Sequence, residues 1–212
     1  MATAGGRFIT LEGGEGAGKS TQIRFLAEHL RAGGIDVITT REPGGSPGAE
    51  LIRKLLVEGP ADAWDGTTEA LLMFAARRDH LERSIRPALA RGQWVISDRF
   101  ADSTRAYQGH GHGFAHDRIE ALYRLAIGDF APDLTIILDL PVDIGLARAA
   151  ARHGAENRYE SLGLAFHQRV RDGFRAIATA EPQRCVLIDA DAPIETVRDR
   201  ALQAVTDRLG VG

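Results

Sequence analysis

One stretch of eight residues, 13–20, constrains this chain more than any other. It reads GGEGAGKS and fits the pattern of a glycine, four residues and then Gly-Lys-Ser/Thr, which is typical of a phosphate-binding P-loop. The residues before it alternate between apolar and polar, and the apolar residues after it recur at helical spacing. We therefore predict a strand, a phosphate-binding loop and a helix in succession. A glycine-rich turn that binds nothing is the alternative, and the match of both flanks disfavours it.

The P-loop pattern also assigns roles to single residues. Glycines allow the backbone to turn its N–H groups toward phosphate oxygens, and the start of the following helix adds a positive dipole end. Lys19 is predicted to reach the β- and γ-phosphates, and Ser20 to bind Mg²⁺. The predicted nucleotide-phosphate contacts are Gly13, Gly14, Glu15, Gly16, Ala17, Gly18, Lys19, Ser20 and Thr21.

Composition limits the classes of protein that this chain can belong to. Its 212 residues, 44% of them hydrophobic, are enough for one domain with a full core, so we expect a single domain over 1–212. A net charge of −3 argues against a nucleic-acid binder with a broad basic surface. The single Cys185 lies in an apolar run and suggests a buried thiol in a reduced, cytoplasmic protein. We see no signal peptide and no membrane-spanning stretch, and we expect no membrane association.

Five apolar runs alternate with helical patterns along the chain. The runs cover 7–12, 35–40, 93–98, 134–140 and 184–189, and they predict an α/β fold with a five-stranded parallel sheet covered by helices on both faces. Ligands of such sheets bind at the carboxyl ends of the strands, where Glu15, Arg41, Asp98 and Arg99 would meet. Asp98 is the last residue of its predicted strand, and an acidic residue at the end of an apolar strand is what a P-loop enzyme uses to help hold Mg²⁺.

Three segments allow two interpretations each. On a long predicted helix, 69–91, Phe74 and Arg78 share a face and could be either core or binding site. The segment 109–113 has two histidines among glycines, and we interpret it as a solvated loop because no further metal ligands accompany them. Three arginines, Arg148, Arg152 and Arg158, surround a break that could be a phosphate-closing lid or an ordinary surface loop.

Taken in order, the motifs of the whole chain resemble the bacterial type of the thymidylate kinases. The resemblance rests on the P-loop, on 40–45 (TREPGG), on Phe74 with Arg78, on 98–100 (DRF), on 103–108 and on 157–160 (NRYE). It implies a P-loop nucleoside monophosphate kinase fold with a small lid at about 148–160. It also implies transfer of the γ-phosphoryl group of ATP to dTMP with Mg²⁺, giving dTDP and ADP, and assembly as a homodimer.

The resemblance further implies a site. Phe74 would stack on thymine, and Arg78 and Gln108 would contact the edge of the base. Arg99 would hold the monophosphate. The residues implied to bind dTMP are Glu15, Arg41, Glu42, Pro43, Arg53, Phe74, Arg78, Arg99, Ser103, Thr104, Tyr107 and Gln108. The residues implied to act in catalysis are Lys19, Arg99, Glu15 and the lid residue Arg152, with Arg148 and Arg158 on the ATP phosphates and Ser20 and Asp98 on Mg²⁺.

Other functions are compatible with a P-loop alone. They include another nucleoside monophosphate kinase, a small-molecule kinase of the shikimate type and, from a different class, a GTPase switch. The switch is disfavoured because the chain has no Asn-Lys-x-Asp segment for reading guanine. A nucleotide turnover that requires a second, monophosphate substrate would separate a kinase from a switch.

Overall fold

A computed structural model describes residues 5–60, 62–151, 158–159 and 162–211. The predicted lid arginine, Arg152, lies outside these ranges, as do residues 153–157, 160 and 161. The lid prediction is therefore described only at its two ends.

The predicted parallel sheet is confirmed. Its strands are β1 (Phe8–Gly13), β2 (Val37–Arg41), β3 (Trp94–Asp98), β4 (Leu134–Asp139) and β5 (Cys185–Asp189). They lie in the order β2-β3-β1-β4-β5, and every neighbouring pair is parallel. Because β1 is central, with β3 on one side and β4 on the other, the P-loop that follows β1 emerges at the middle of the carboxyl edge.

Nine α-helices connect and cover the strands within the described residues. In chain order they are α1 (Lys19–Ala32), α2 (Pro47–Val57), α3 (Gly66–His80), α4 (Arg86–Ala90), α5 (Ala101–Thr104), α6 (His116–Ile127), α7 (Val142–Ala150), α8 (Leu164–Ala180) and α9 (Ile194–Leu209).

Apolar packing covers both faces of the sheet, as the sequence pattern predicted. Side chains alternate along β1, so Ile9 and Leu11 pack with α1 and α9, whereas Phe8 packs on the other side with residues of α3 and α6. A third cluster joins α8 to β4 and to Tyr107. This core holds the carboxyl edge of the sheet rigid beneath the site.

Two predicted segments differ from the structure, and both contain π-helical turns. The predicted helix 69–91 is α3 and α4 joined by a π-helical segment, Leu81–Ile85. The segment 109–113, predicted as a solvated loop, begins within a second π-helical segment, Arg105–Gly111. A side chain at Gly111 would collide with Phe166 of α8, so the glycine permits close helix packing there.

Within the described residues, no helix is long and apolar enough to cross a membrane. Cys185 is a free thiol, and it is buried as predicted. Burial raises its pKa to about 12, so the thiol stays protonated at neutral pH.

Candidate active site

A cavity of about 320 Å³ opens at the carboxyl edge of the sheet beside the P-loop. Its walls come from the P-loop, the turn after β2, helices α2 and α3, and the segment after β3. The predicted site residues that line it are Glu15, Gly16, Ala17, Gly18, Lys19, Ser20, Arg41, Glu42, Pro43, Arg53, Asp98, Arg99, Ser103, Thr104, Tyr107 and Gln108. Residues from distant parts of the sequence thus converge on one space.

The P-loop residues form the floor of one end of this cavity. Gly16 has φ +67, and a Cβ there would overlap the carbonyl of Gly145 on α7, so only glycine fits. Gly18 has a left-handed conformation, and α1 begins at Lys19. The amide groups of this turn and of the helix start face a space where an anion binds well.

Lys19 is enclosed by its surroundings rather than exposed to solvent. It is only 8% exposed, and its Nζ donates to the carbonyls of Gly13 (3.1 Å) and Gly14 (2.9 Å). Burial, together with the charge of Arg99, lowers its pKa to about 8. A bound phosphate would offset this penalty, because it supplies the missing negative charge.

Ser20 and Asp98 lie next to each other at the cavity wall. The Ser20 hydroxyl donates to Asp98 Oδ2 over 3.1 Å. Hydroxyl and carboxylate oxygens are ligands that suit Mg²⁺, which takes one or two protein ligands and completes its shell with phosphates and water. No group of three or more histidines, cysteines, aspartates or glutamates among the described residues forms a closed metal cage. The pair therefore fits a metal that is held jointly with a nucleotide.

Glu15, Arg99 and Tyr107 form a hydrogen-bonded triangle at the centre of the cavity. Glu15 Oε1 accepts from Arg99 Nη2 (2.9 Å) and from the Tyr107 hydroxyl (2.7 Å), and Arg99 Nη2 is 3.0 Å from that hydroxyl. Burial alone would raise the pKa of Glu15, but the charges of Arg99 and Lys19 outweigh it and lower the pKa to about 2. Glu15 is therefore ionised at neutral pH, with Oε2 left for a ligand.

Arg99 is held in an unusual backbone conformation, with φ +70. Glu12, buried near the end of β1, accepts hydrogen bonds from the N–H of Phe100 and the hydroxyl of Ser103, which both follow Arg99 in the chain. Burial, and secondarily the charge of Asp102, raise the pKa of Glu12 to about 8. Glu12 belongs to the strand that precedes the P-loop, and the sequence carried no signal for this bracing role.

The structure corrects the helical register of the predicted base pocket. Phe74 is 3% exposed and packs in the core against Tyr123, and Arg78 bonds to the carbonyl of Ala126 and to Glu82 on the outer surface. Neither side chain lines the cavity. Their immediate predecessors, Met73 and Arg77, do, and they are one helical turn apart on α3.

Arg77 is fixed by partners on three sides. Its Nε donates to Glu42 Oε2 (2.7 Å), and its Nη2 donates to the carbonyl of Phe100 (3.0 Å) and the hydroxyl of Thr104 (3.1 Å). Glu42 also contacts His80, which is fully buried. The remaining Nη1 of Arg77 is buried with no partner among the described residues, so it is a donor without an acceptor.

The remaining predicted arginines have different surroundings. Arg41 and Arg53 line the cavity, where Arg41 pairs with Glu50 and Arg53 Nη1 donates to the carbonyl of Pro43. Arg158, predicted to contact ATP phosphates, is instead 3% exposed and pairs with Glu69 at 2.6 Å. A guanidinium held in this buried ion pair does not line the cavity. Four further predicted residues do not line the cavity: Gly13, Gly14, Thr21 and Arg148.

Comparison with known proteins gives a consistent answer over nearly the whole chain. The sequence profile of the thymidylate kinase family matches residues 11–201. A thymidylate kinase of Caulobacter vibrioides is 61% identical over 206 residues, which cover 97% of this chain and 99% of the relative. One from Rhodopseudomonas palustris strain CGA009 is 58% identical over 207 residues, covering 96% and 90% of the two chains.

A solved structure agrees with these sequence relatives. The crystal structure of thymidylate kinase from Ehrlichia chaffeensis superimposes with a TM-score of 0.76 at 37% identity, and it covers 95% of this chain and 99% of that one.

Proposed function

This chain belongs to the thymidylate kinase family, and from that premise we propose that it transfers the γ-phosphoryl group of ATP to dTMP, giving dTDP and ADP. Membership of this family argues against another nucleoside monophosphate kinase, a shikimate-type kinase and a GTPase switch. The geometry of the site suggests how its residues would serve the reaction.

The observation that carries the proposal is a pair of unsatisfied polar atoms in the cavity walls. Arg77 Nη1 is a buried donor and Gln108 Oε1 a buried acceptor, each without a partner among the described residues. Buried polar atoms are rarely left without a partner, so two of them on residues that line one cavity fit a ligand that completes them. Thymine presents a carbonyl oxygen beside an N–H on its pairing edge, which matches a donor and an acceptor.

The reaction needs positioning and charge neutralisation more than covalent help, because a phosphate monoester is already a competent nucleophile. Arg99 would hold the acceptor phosphate, and Lys19 would hold the transferred group. Mg²⁺, which Ser20 and Asp98 would help to hold, would neutralise charge on the ATP phosphates. A lid arginine, with Arg152 our first choice, would stabilise the charge of the transition state.

Glu15 has a separate role in this proposal. Its carboxylate would repel a neighbouring triphosphate by about 4 kcal/mol at 4 Å and an effective dielectric of 20, so it is better placed toward the acceptor. The hydrogen bonds from Arg99 and Tyr107 fix one oxygen of the carboxylate, which supports this role. Its free oxygen would then accept a hydrogen bond from the 3′-hydroxyl of dTMP.

We also propose that the protein is cytoplasmic, works as one domain with a lid at about 148–160, and assembles as a homodimer. Support for a dimer comes from three large apolar side chains on the packed helices α2 and α3, Leu51, Leu55 and Leu71, which are 68%, 49% and 51% exposed. Sedimentation velocity tests this: a single species of monomer mass at micromolar concentration would refute the dimer.

A coupled assay of ADP release tests the activity. We expect turnover with dTMP to exceed that with dUMP, dCMP, AMP and shikimate, with little ADP formed when no acceptor is added. A preference for another acceptor, or equal turnover without one, would refute the proposal.

A further inference from the structure

One buried carboxylate near the cavity has no part in the mechanism above. Glu69 lies in the first turn of α3, is 1% exposed and does not line the cavity. Its Oε2 is 2.6 Å from Arg158 Nη2, and its Oε1 accepts a hydrogen bond of 2.6 Å from Gln108 Nε2. It thus connects Arg158 to Gln108, a residue of the cavity wall.

The chemistry of these three groups allows only one arrangement of the Gln108 amide. An ionised carboxylate only accepts hydrogen bonds, and a guanidinium only donates them. Gln108 must therefore turn its NH₂ group toward Glu69, and its oxygen is left facing the other way. That oxygen is buried and has no partner among the described residues, and Gln108 lines the cavity.

We infer that Glu69 is a positioning residue that sets the base selectivity of the enzyme by fixing which end of the Gln108 amide faces the acceptor base. This inference rests on the proposed function. Thymine has a hydrogen donor at N3, whereas cytosine has an acceptor there. An amide oxygen that faces the base accepts a hydrogen bond from the N3–H of thymine, and it repels the N3 lone pair of cytosine.

Replacing Glu69 with glutamine should turn the Gln108 amide around, so that its NH₂ group faces the base instead of its oxygen. Arg158 can only donate, so it would hold the new amide by its oxygen and leave the NH₂ group facing Gln108. Gln108 would then accept with its own oxygen and turn its NH₂ group into the cavity. His112 Nε2 lies 3.6 Å from Glu69 Oε1, the oxygen that accepts from Gln108. This contact is weaker than that of Arg158, which is charged and lies 2.6 Å from Glu69 Oε2.

The experiment measures kcat/KM for dTMP and for two acceptors whose N3 accepts a hydrogen bond. These are dCMP and the monophosphate of pyrimidin-2-one deoxyriboside, which has no group at C4 to face Arg77. For Glu69→Gln we expect the dTMP value to fall roughly ten- to hundredfold, the loss expected when two donors face each other in a buried site. The values for the other two acceptors should stay or rise, so that selectivity falls by at least about tenfold.

The matched control exchanges the two residues. In the double variant Glu69→Gln with Gln108→Glu, a carboxylate at 108 accepts from the new amide and again presents an oxygen to the cavity. We expect selectivity for dTMP to return to within about tenfold of the parent value. Should Glu69→Gln fail to fold, as judged by circular dichroism, the double variant alone decides: retained selectivity supports the inference and lost selectivity overturns it.

A purely structural role for Glu69 predicts something different. Glu69→Gln would then lower kcat/KM for all three acceptors by the same factor, and the double variant would not recover selectivity; either result overturns the inference. Failure of the proposed function is recognised separately, since the parent protein itself would then not phosphorylate dTMP.

Discussion

Arg77 and Arg78 are adjacent and chemically identical, yet the structure predicts a large loss of stability and activity when Arg77 is replaced and a small one when Arg78 is replaced. Arg77 and Glu42 are only 2% and 4% exposed, and removing one partner of a buried ion pair costs about 3–5 kcal/mol. Arg78 is 55% exposed, and its pair with Glu82 is worth about 0.3–0.5 kcal/mol. For a chain of this length, 1 kcal/mol corresponds to roughly 2–4 °C in Tm.

The test compares Arg77→Met with Arg78→Met, because methionine keeps much of the volume of the side chain. We expect Tm to fall by roughly 6–20 °C for Arg77→Met and by no more than about 2 °C for Arg78→Met. At a temperature where both are folded, kcat/KM for dTMP should fall about ten- to hundredfold for the first variant, since a donor facing the base is lost, and less than about twofold for the second. Equal effects, or a larger effect at 78, would refute the register that the structure assigns.

Four further predictions concern the phosphates and the sugar. Glu15→Gln should lower kcat/KM about ten- to hundredfold for dTMP but hardly for 3′-deoxy-dTMP; equal losses would place Glu15 elsewhere. Lys19→Ala should abolish transfer and leave the circular dichroism spectrum unchanged. In the parent protein, the affinity for ATP should weaken as the pH rises through about 8, the pKa of Lys19, because the side chain then loses its charge. Tyr107→Ala should reduce discrimination against ribothymidine monophosphate, and unchanged discrimination would exclude steric control at 107. Arg152→Ala should lower kcat by about 10³ to 10⁵ if it acts as the transition-state arginine, whereas alanine at both Arg148 and Arg152 costing less than roughly tenfold would rule out the lid role.

The parts of the fold that could be predicted from the sequence are those encoded locally. The strand before the P-loop, the glycines and the helix after them are consecutive, and each of the five strands is an apolar run whose ends differ from the prediction by no more than about two residues. Convergence of Glu15, Asp98 and Arg99 followed from topology, because carboxyl ends of parallel strands share one edge.

The register of α3 could not be predicted, because it depends on distant partners. Phe74 and Arg78 have the same spacing as Met73 and Arg77, so periodicity alone cannot choose between the pairs. The choice is made by Glu42, which comes from the turn after β2 and accepts from Arg77. For the same reason Glu69 could not be identified from the sequence, since its partners lie 39 and 89 residues away along the chain.

The π-helical segments were missed for a similar reason. Their residues are ordinary helix formers and glycines, and the local pattern does not distinguish a π turn from an α turn or a loop. In the segment Arg105–Gly111 it is the packing of Gly111 against α8 that selects the conformation. Tertiary contact, rather than local propensity, therefore places Tyr107 and Gln108 in the cavity wall.

The fate of a labelled γ-phosphate shows whether the protein transfers a phosphoryl group from ATP to dTMP. The parent protein is incubated with [γ-³²P]ATP and Mg²⁺, with and without dTMP, and the products are separated by thin-layer chromatography. We expect label to appear in dTDP only when dTMP is present, and to be absent from dTDP with Lys19→Ala. Label released as inorganic phosphate at the same rate with and without dTMP would refute phosphoryl transfer to dTMP.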